Sequence, residues 1–350
     1  MMSNKKIFSL SFLVLILALL LFSLTSLLRP NWSNKEEELL FSIERGESVT
    51  EIISNLNDKE IVNSEYIFFG YLILSGKTGN LQAGTYNLNS EMNALDIVGK
   101  ITNGDVASTS VTIIEGWNLR EIAELLESKD LIQKQRFFEI TGLSKPQANL
   151  EGIEALPTKY DQELNLLEHL PKGASLEGYL FPDTYRFSNE TEEEIVDIMV
   201  RNTQRRMEES GLFEEIKDSE INTHQAITMA SLIEKEVPSF TDMRKVSDIL
   251  WRRREAGMPL QIDATVNYIT GRRGIDVTIN ETQVESPFNT YQSVGLPKGP
   301  IASPSLNSLK ATMNPKSNQY WYYLSDPETG KTIFSRNHLD HVRAKNKYLR

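Results

Sequence analysis

The stretch that decides both the fold and the chemistry of this chain is AITMASLIEKEV, residues 226–237. Its apolar residues form one stripe on a helical wheel of about 100° per residue, which predicts a helix packed against a core. Glu234 and Glu236 flank that stripe, and Lys235 points away from it. Because Pro238 disfavours helix at the residue before it, both acids are predicted to lie in the last helical turn.

These two acids are candidates for general acid catalysis. Partial burial and the negative end of the helix dipole both oppose ionisation of a carboxyl group, which raises its pKa toward neutrality, as a general acid requires. The wheel does not distinguish Glu234 from Glu236. A helix-end glutamate that pairs with Lys235 or a nearby arginine is the structural alternative.

The region after this helix has the features of a cleft wall. A helix with a threonine cap is predicted at residues 241–256, followed by QIDATV (261–266), in which Asp263 precedes a strand or begins a helix. Residues 286–305 contain four prolines, and a long irregular loop of this kind is typical of a binding cleft. A hairpin is predicted at residues 320–335.

Two further stretches carry side chains suited to ligands. LEGYLFPDTYRF (176–187) combines aromatic residues with acids, so it is either a buried strand and turn or a sugar-binding wall. The C-terminal helix carries His338 and His341, but no carboxylate motif accompanies them, which favours a solvated face over a metal pair. We therefore predict no metal and no cofactor.

Composition limits the class of protein. A length of 350 residues predicts two or three domains. The chain carries a formal net charge of -11. Such a chain lacks the basic face that a phosphate backbone requires, which argues against nucleic acid as a partner. It contains no cysteine, which excludes disulfides, thiolate nucleophiles and thiolate zinc sites.

The N-terminus predicts a membrane anchor. Residues 7–28 carry no charge and are long enough to span a bilayer core of about 30 Å. Two lysines precede them and three glutamates follow, so residues 1–6 are expected in the cytoplasm and the rest outside. A cleaved signal peptide is the alternative, but its apolar region is usually about 7–15 residues long. Residues 29–40 are predicted to form a linker.

Residues 41–143 are predicted to form a small membrane-proximal α+β region. FSIERGESVTEIISNLNDKEIV (41–62) and VTIIEGWNLREIAELLESKDLI (111–132) each combine a short strand, a glycine turn and an amphipathic helix. Residues 144–173 have little periodicity and are predicted to connect this region to a last domain at 174–350.

Several stretches together resemble one protein family. EGYLFPDTYRF, ASLIEKEV, GMPLQIDATVNY, SPFNTYQSVGLPKGPIASPS and the final FSRNHLDH occur in the order of that family. With the apolar N-terminus they span nearly all of the chain, and they resemble the bacterial endolytic murein transglycosylases of the MltG or YceG-like type. Residues at about 108–143 look like the LysM-like part of that family, a module class that contacts glycan.

The resemblance implies an α+β fold: a single N-terminal transmembrane helix, small LysM-like α+β modules and a mixed α+β catalytic domain. It implies a lyase that cleaves the bond between N-acetylmuramic acid and N-acetylglucosamine within nascent glycan strands. The products would carry 1,6-anhydro ends, and cleavage would terminate strand elongation. The expected partners are peptidoglycan strands, the inner membrane and the peptidoglycan synthases, with the catalytic domain outside the cytoplasm.

The resemblance also implies site residues. Glu234 matches the catalytic acid/base, and one carboxyl group suffices because the C6 hydroxyl of the substrate attacks the anomeric carbon without an activated water. Residues in the matching motifs are hypothesised to position sugar or support Glu234: Glu177, Gln261, Asp263, Asn289 and Tyr291.

The sequence departs from the family pattern in two places: at residues 252–254, and at Asp263-Ala264-Thr265, where the family usually has Asp-Pro-Thr. Arg252 and Arg254 stand where the family usually has asparagine and leucine, while Arg253 keeps its position, so an additional cation is expected near the substrate. Two other functions remain open: a non-catalytic, membrane-anchored peptidoglycan-binding scaffold, and a water-using muramidase with Glu234 and Asp263 as acid and base.

Overall fold

The computed structural model describes residues 4–30, 38–89, 91–142, 164–272 and 277–349. They form two compact units, Met1–Thr109 with Arg186–Asn189, and Ser110–Tyr185 with Glu190–Arg350. Most of the predicted linker (29–40) and of the predicted connecting segment (144–173) lies outside the described residues.

The first unit combines a two-stranded antiparallel sheet with helices. Its elements are α1 (Asn4–Leu28), β1 (Glu38–Ile43), α2 (Val49–Asp58), α3 (Glu65–Leu74), β2 (Gly84–Asn89) and α4 (Ala94–Asn103). Phe41 of β1 pairs with Tyr86 of β2, and both side chains lie in a core shared with α2, α3 and α4. Capping boxes begin α2 and α4 and satisfy their first backbone N–H groups.

α1 is long and apolar enough to cross a membrane. Its window Ser11–Leu28 has a mean hydropathy of 2.6 and lies near the N-terminus. A signal sequence near the N-terminus passes the same test of length and composition as a membrane anchor.

The second unit is mainly helical. Its elements are β3 (Thr109–Thr112), α5 (Leu119–Ser128), α6 (Lys134–Thr141), β4 (Thr184–Phe187), α7 (Glu192–Glu209), α8 (Leu212–Lys217), α9 (Thr223–Glu236), α10 (Phe240–Glu255), α11 (Asp263–Thr270), α12 (Leu306–Met313), β5 (Tyr322–Ser325), β6 (Thr332–Ser335) and α13 (His338–Tyr348). β3 pairs with β4, and β5 pairs antiparallel with β6. The mixed α+β architecture that the sequence predicts is therefore confirmed.

α9 is the central helix of this unit. Asn222 and Gln225 form a capping box at its start, and Val237 leaves the helical conformation before Pro238. Ten residues of α9 are buried, and the helix packs against α10, α11 and α12. The predicted helix is confirmed, with both acids in its last turn.

Three local predictions are resolved by the structure. α10 begins one residue earlier than predicted, and Ser239 caps it in place of the predicted threonine. Asp263 begins a helix, α11, so the strand alternative is wrong. The predicted hairpin is confirmed as β5 and β6.

Candidate active site

The carboxylate of Glu234 is held by the start of α12. Ser305, the N-cap residue of α12, donates its backbone N–H to Glu234 Oε2 at 2.9 Å and its hydroxyl to the same oxygen at 2.6 Å. Among the described residues no donor is hydrogen-bonded to Glu234 Oε1. The side chain is half-buried, so the two bonds fix its orientation and leave one oxygen for a ligand.

A small pocket of about 260 Å³ surrounds this carboxylate, and Glu115, Lys235, Glu236 and Ser305 are among its lining residues. Burial and the charge of Glu234 raise the pKa of Glu115. The pocket is therefore an acidic one.

The turn after β3 approaches Glu234 closely. Gly116 has a φ of +76°, and a Cβ built there would lie 3.6 Å from Glu234 Cγ. Its carbonyl oxygen accepts a bond of 3.0 Å from Lys235 Nζ, and its N–H donates to the oxygen of Ser303 at 2.9 Å. Glycine here allows the left-handed backbone conformation.

A larger cleft of about 790 Å³ adjoins this pocket, since Lys235 and Glu236 line both. Three of the predicted site residues line it as well: Gln261, Asp263 and Tyr291. The Tyr291 hydroxyl donates to Asp263, which begins α11. Gln261 has a φ of +55°, and its N–H donates to the oxygen of Thr290 at 3.1 Å. The large cleft thus brings these three side chains together with Glu236.

Glu236 has the electrostatics of a general acid. Burial raises its pKa to about 7, and the charge of Asp263 acts in the same direction. A hydrogen bond with Tyr323 and the charge of Arg253 oppose the rise. Arg253 is buried, and its guanidinium donates to the oxygens of Leu260 and Trp321, each at 2.9 Å. The carboxyl group therefore exchanges its proton near neutral pH.

Glu177 and Asn289, the two other predicted site residues, make their contacts inside the protein. Glu177 is 1% exposed and accepts bonds from the N–H of Leu119 at 3.1 Å and the hydroxyl of Tyr268 at 3.1 Å. Burial raises the pKa of Glu177 to about 7. Asn289 is fully buried, and its amide donates to the oxygens of Thr282 and Val284, which precede its loop. Neither residue lines the cleft or the pocket.

The aromatic segment around Glu177 is part of the core. The rings of Tyr179, Phe181, Tyr185 and Phe187 are all buried. Of the two alternatives for this segment, the structure supports the buried strand and turn and not an aromatic sugar-binding wall.

The C-terminal helix α13 contributes to the large cleft. His341 is half-buried and stacks on Tyr322 with 5.2 Å between ring centres, so the predicted solvated face is wrong for this residue. Burial and nearby cations lower the pKa of His341 to about 4. No group of three or more His, Asp or Glu side chains within the described ranges is arranged to hold a metal ion.

The two arginines that depart from the family pattern bind the protein itself. Arg252 forms an ion pair of 2.9 Å with Asp248 and donates to the oxygen of Tyr320 at 2.5 Å. Arg254 lies over the ring of Trp251. Neither lines the cleft, so the additional cation expected near the substrate is not observed there.

Sequence reasoning missed three residues of the site: Ser305, Tyr323 and Glu115. Ser305 carries a signal, because a serine before an apolar helical stretch predicts an N-cap, but the glutamate that it binds is far away in sequence. Tyr323 and Glu115 lie in segments for which only secondary structure was predicted.

Comparisons with known proteins identify the family. The sequence profile of the YceG-like family matches residues 41–347. The endolytic murein transglycosylase of Bacillus subtilis (strain 168) is 31% identical over 93% of this chain and 88% of its own length. That of Streptococcus pneumoniae (strain D39) is 31% identical over 97% of this chain, which spans 65% of that relative.

The crystal structure of a yceG-like protein from Listeria monocytogenes is also similar. It has a TM-score of 0.58 at 30% identity, with coverage of 89% of this chain and 100% of that one. The family match extends over more than half of the chain and includes all of the site residues described above. This chain therefore belongs to the YceG-like family.

Proposed function

We propose that this chain is a lytic transglycosylase, a lyase that cleaves peptidoglycan strands at internal bonds between N-acetylmuramic acid and N-acetylglucosamine. Membership of the YceG-like family and the names of the curated relatives support the reaction class. The observation that carries the proposal within the chain is the carboxylate of Glu234, which Ser305 holds by one oxygen at the end of a buried helix.

Glu234 acts as the acid and then as the base. Its carboxyl group donates a proton to the glycosidic oxygen, and the bond from that oxygen to the anomeric carbon breaks. The C6 hydroxyl of the muramic acid residue then attacks the anomeric carbon and gives its proton to the Glu234 carboxylate. The products are a 1,6-anhydro end and a free hydroxyl on the leaving sugar, and no water is consumed.

The large cleft holds the glycan strand. Gln261, Asp263 and Tyr291 offer amide, carboxylate and phenol groups to sugar hydroxyls, and the bond from Tyr291 to Asp263 orients both side chains. Glu177 and Asn289 act indirectly, because they hold the helices and the loop that carry the cleft residues.

Residues 108–143 are proposed to be the LysM-like segment. Glu115 and Gly116 lie beside Glu234, and this proximity supports a contact between the segment and glycan bound there. Residues 174–350 are proposed to form the catalytic domain.

Residues 7–28 are proposed to anchor the chain in the inner membrane, with residues 1–6 in the cytoplasm and the catalytic domain outside. Cleavage of nascent strands at that location would terminate their elongation beside the peptidoglycan synthases. The length and hydropathy of α1 support the anchor.

Paired variants separate the two candidate acids. Glu234→Gln is expected to lower the rate of strand cleavage by about 10²–10⁴-fold, the usual contribution of a general acid. Glu236→Gln is expected to retain most of the rate, and Glu255→Gln, at an exposed position of α10, is the matched control. Thermal denaturation of each variant verifies that it is folded.

Three outcomes would overturn parts of this proposal. Loss of cleavage in Glu236→Gln alone would transfer the acid role to Glu236, whose pKa near 7 favours it. Full activity of both variants would exclude the two acids. A folded wild-type chain that produces no new strand ends would indicate a peptidoglycan-binding scaffold.

A further inference from the structure

Helix α3 of the first unit is apolar on every side. Its sequence is EYIFFGYLIL, and the one charged residue, Glu65, lies in the first turn. A helix that is hydrophobic all round is normally enclosed by protein or by lipid. α3 therefore requires cover on both of its faces.

Only one face of α3 is covered by the protein. Phe68 is 2% exposed and Leu72 is fully buried, and both belong to the core of the first unit. On the opposite face Tyr66 is 81% exposed, Ile73 54% and Leu74 90%.

These exposed residues form one surface. Tyr66, Phe69 and Ile73 are three and four residues apart, which aligns them along the helix, and Leu74 extends the patch at its C-terminal end. We call these four residues the α3 face. By contrast, the exposed positions of the neighbouring helix α2 include the polar residues Glu51, Ser54 and Asn55.

The start of α3 lies beside the end of the candidate transmembrane helix. Asn63, next to the N-cap residue of α3, donates its side-chain amide to the oxygens of Ser26 and Arg29, each at 2.9 Å. Leu27 packs against the core of the first unit, and α1 contacts α3. The apolar window of α1 ends at Leu28, which is therefore the level at which a bilayer crossed by α1 gives way to headgroups.

We propose that the α3 face is a membrane-docking surface, with its side chains in the interfacial layer of the bilayer that α1 crosses. The tyrosine and phenylalanine rings suit this layer, because aromatic rings are enriched at the boundary between acyl chains and headgroups. Docking removes exposed apolar surface from water and holds the first unit against the lipid. This inference rests on the proposed membrane anchor and does not depend on the glycan-cleaving activity.

The absence of natural cysteine makes a direct test possible. Single cysteines at Tyr66→Cys and Leu74→Cys are labelled with an environment-sensitive fluorophore in the full chain, reconstituted into phospholipid vesicles through α1. Ser54→Cys, at an exposed position of α2, is the matched control. The vesicles contain a lipid with a nitroxide quencher high on its acyl chain.

Emission from positions 66 and 74 is expected to shift to the blue and to be quenched at least about threefold more than emission from position 54. Equal quenching at all three positions would overturn the proposal. A blue shift that lipid quenchers do not affect, and that grows with protein concentration, would overturn it in favour of a second copy of the chain as the occupant.

A charge-insertion variant provides the second arm of the test. Ile73→Glu with Leu74→Glu alters positions that are 54% and 90% exposed, so folding should be retained while quenching of the label at position 66 falls to the control level. Ser54→Glu is the control substitution for added charge. Unchanged quenching in the folded double variant would contradict lipid docking.

Discussion

The substitution Glu236→Gln tests the electrostatics of the cleft through the stability of the protein. Burial raises the pKa of Glu236 from 4.5 to about 7. Because one pKa unit corresponds to about 1.4 kcal/mol, the folded state favours the neutral carboxyl by about 3 kcal/mol relative to the unfolded state. Part of the side chain is exposed, and solvent screening reduces the expected value to about 1–2 kcal/mol.

The sign of the effect follows from the direction of the shift. Below pH 4.5 the carboxyl group is neutral in both states, so the favourable contribution of its protonated form is fully present. As the pH rises from 4.5 to about 7, the unfolded carboxyl ionises first and the wild type loses that contribution. Glutamine cannot ionise, so the variant gains stability relative to the wild type over this window and keeps the gain above it.

The assay is urea denaturation of the wild type, Glu236→Gln and the exposed control Glu255→Gln at pH values from about 4 to 8. The account predicts that the difference in free energy of unfolding between Glu236→Gln and the wild type grows by about 1–2 kcal/mol from the acidic to the alkaline end. A difference that is independent of pH, or that grows toward acid, would refute the assignment of a raised pKa to Glu236.

Three further substitutions test the contacts around the site. Ser305→Ala removes the hydroxyl donor to Glu234 and keeps the backbone donor. Steady-state kinetics should therefore show kcat about tenfold lower with little change in KM. An unchanged kcat would mean that the bond does not position the acid. Gly116→Ala adds a Cβ at a positive φ beside Glu234 and should lower the free energy of unfolding by roughly 1–2 kcal/mol. The thermal midpoint should fall accordingly, and an unchanged midpoint would show that alanine is not strained in this conformation. Tyr268→Phe removes a donor to buried Glu177 and should lower the free energy of unfolding by about 1–3 kcal/mol in urea; equal stability would show that the bond contributes little.

The central helix could be predicted from the sequence because its signals are local. Apolar spacing in residues 226–237 and a proline at its end determine α9 and place both acids in the last turn. The different surroundings of the acids could not be predicted. Glu234 is hydrogen-bonded to Ser305, and Glu236 to Tyr323, and both partners are distant in sequence.

Local sequence patterns also could not predict that the other motif residues are buried. A motif identifies Glu177 and Asn289 as candidates for sugar contact. Glu177 is instead hydrogen-bonded to α5 and α11, and Asn289 to Thr282, and only the tertiary packing reveals this. His341 was predicted on a solvated face for the same reason. Its ring stacks on Tyr322 of the preceding hairpin, a contact that spacing along α13 does not contain.

The measurement that tests the central claim most directly is mass spectrometry of the strand ends produced by the full chain in water enriched with a heavy oxygen isotope. The account predicts 1,6-anhydro-muramyl ends that contain no heavy oxygen, because the C6 hydroxyl of the substrate displaces the leaving sugar, and no such ends with Glu234→Gln. Reducing ends that carry the heavy oxygen would show attack by water and would contradict the transglycosylase mechanism.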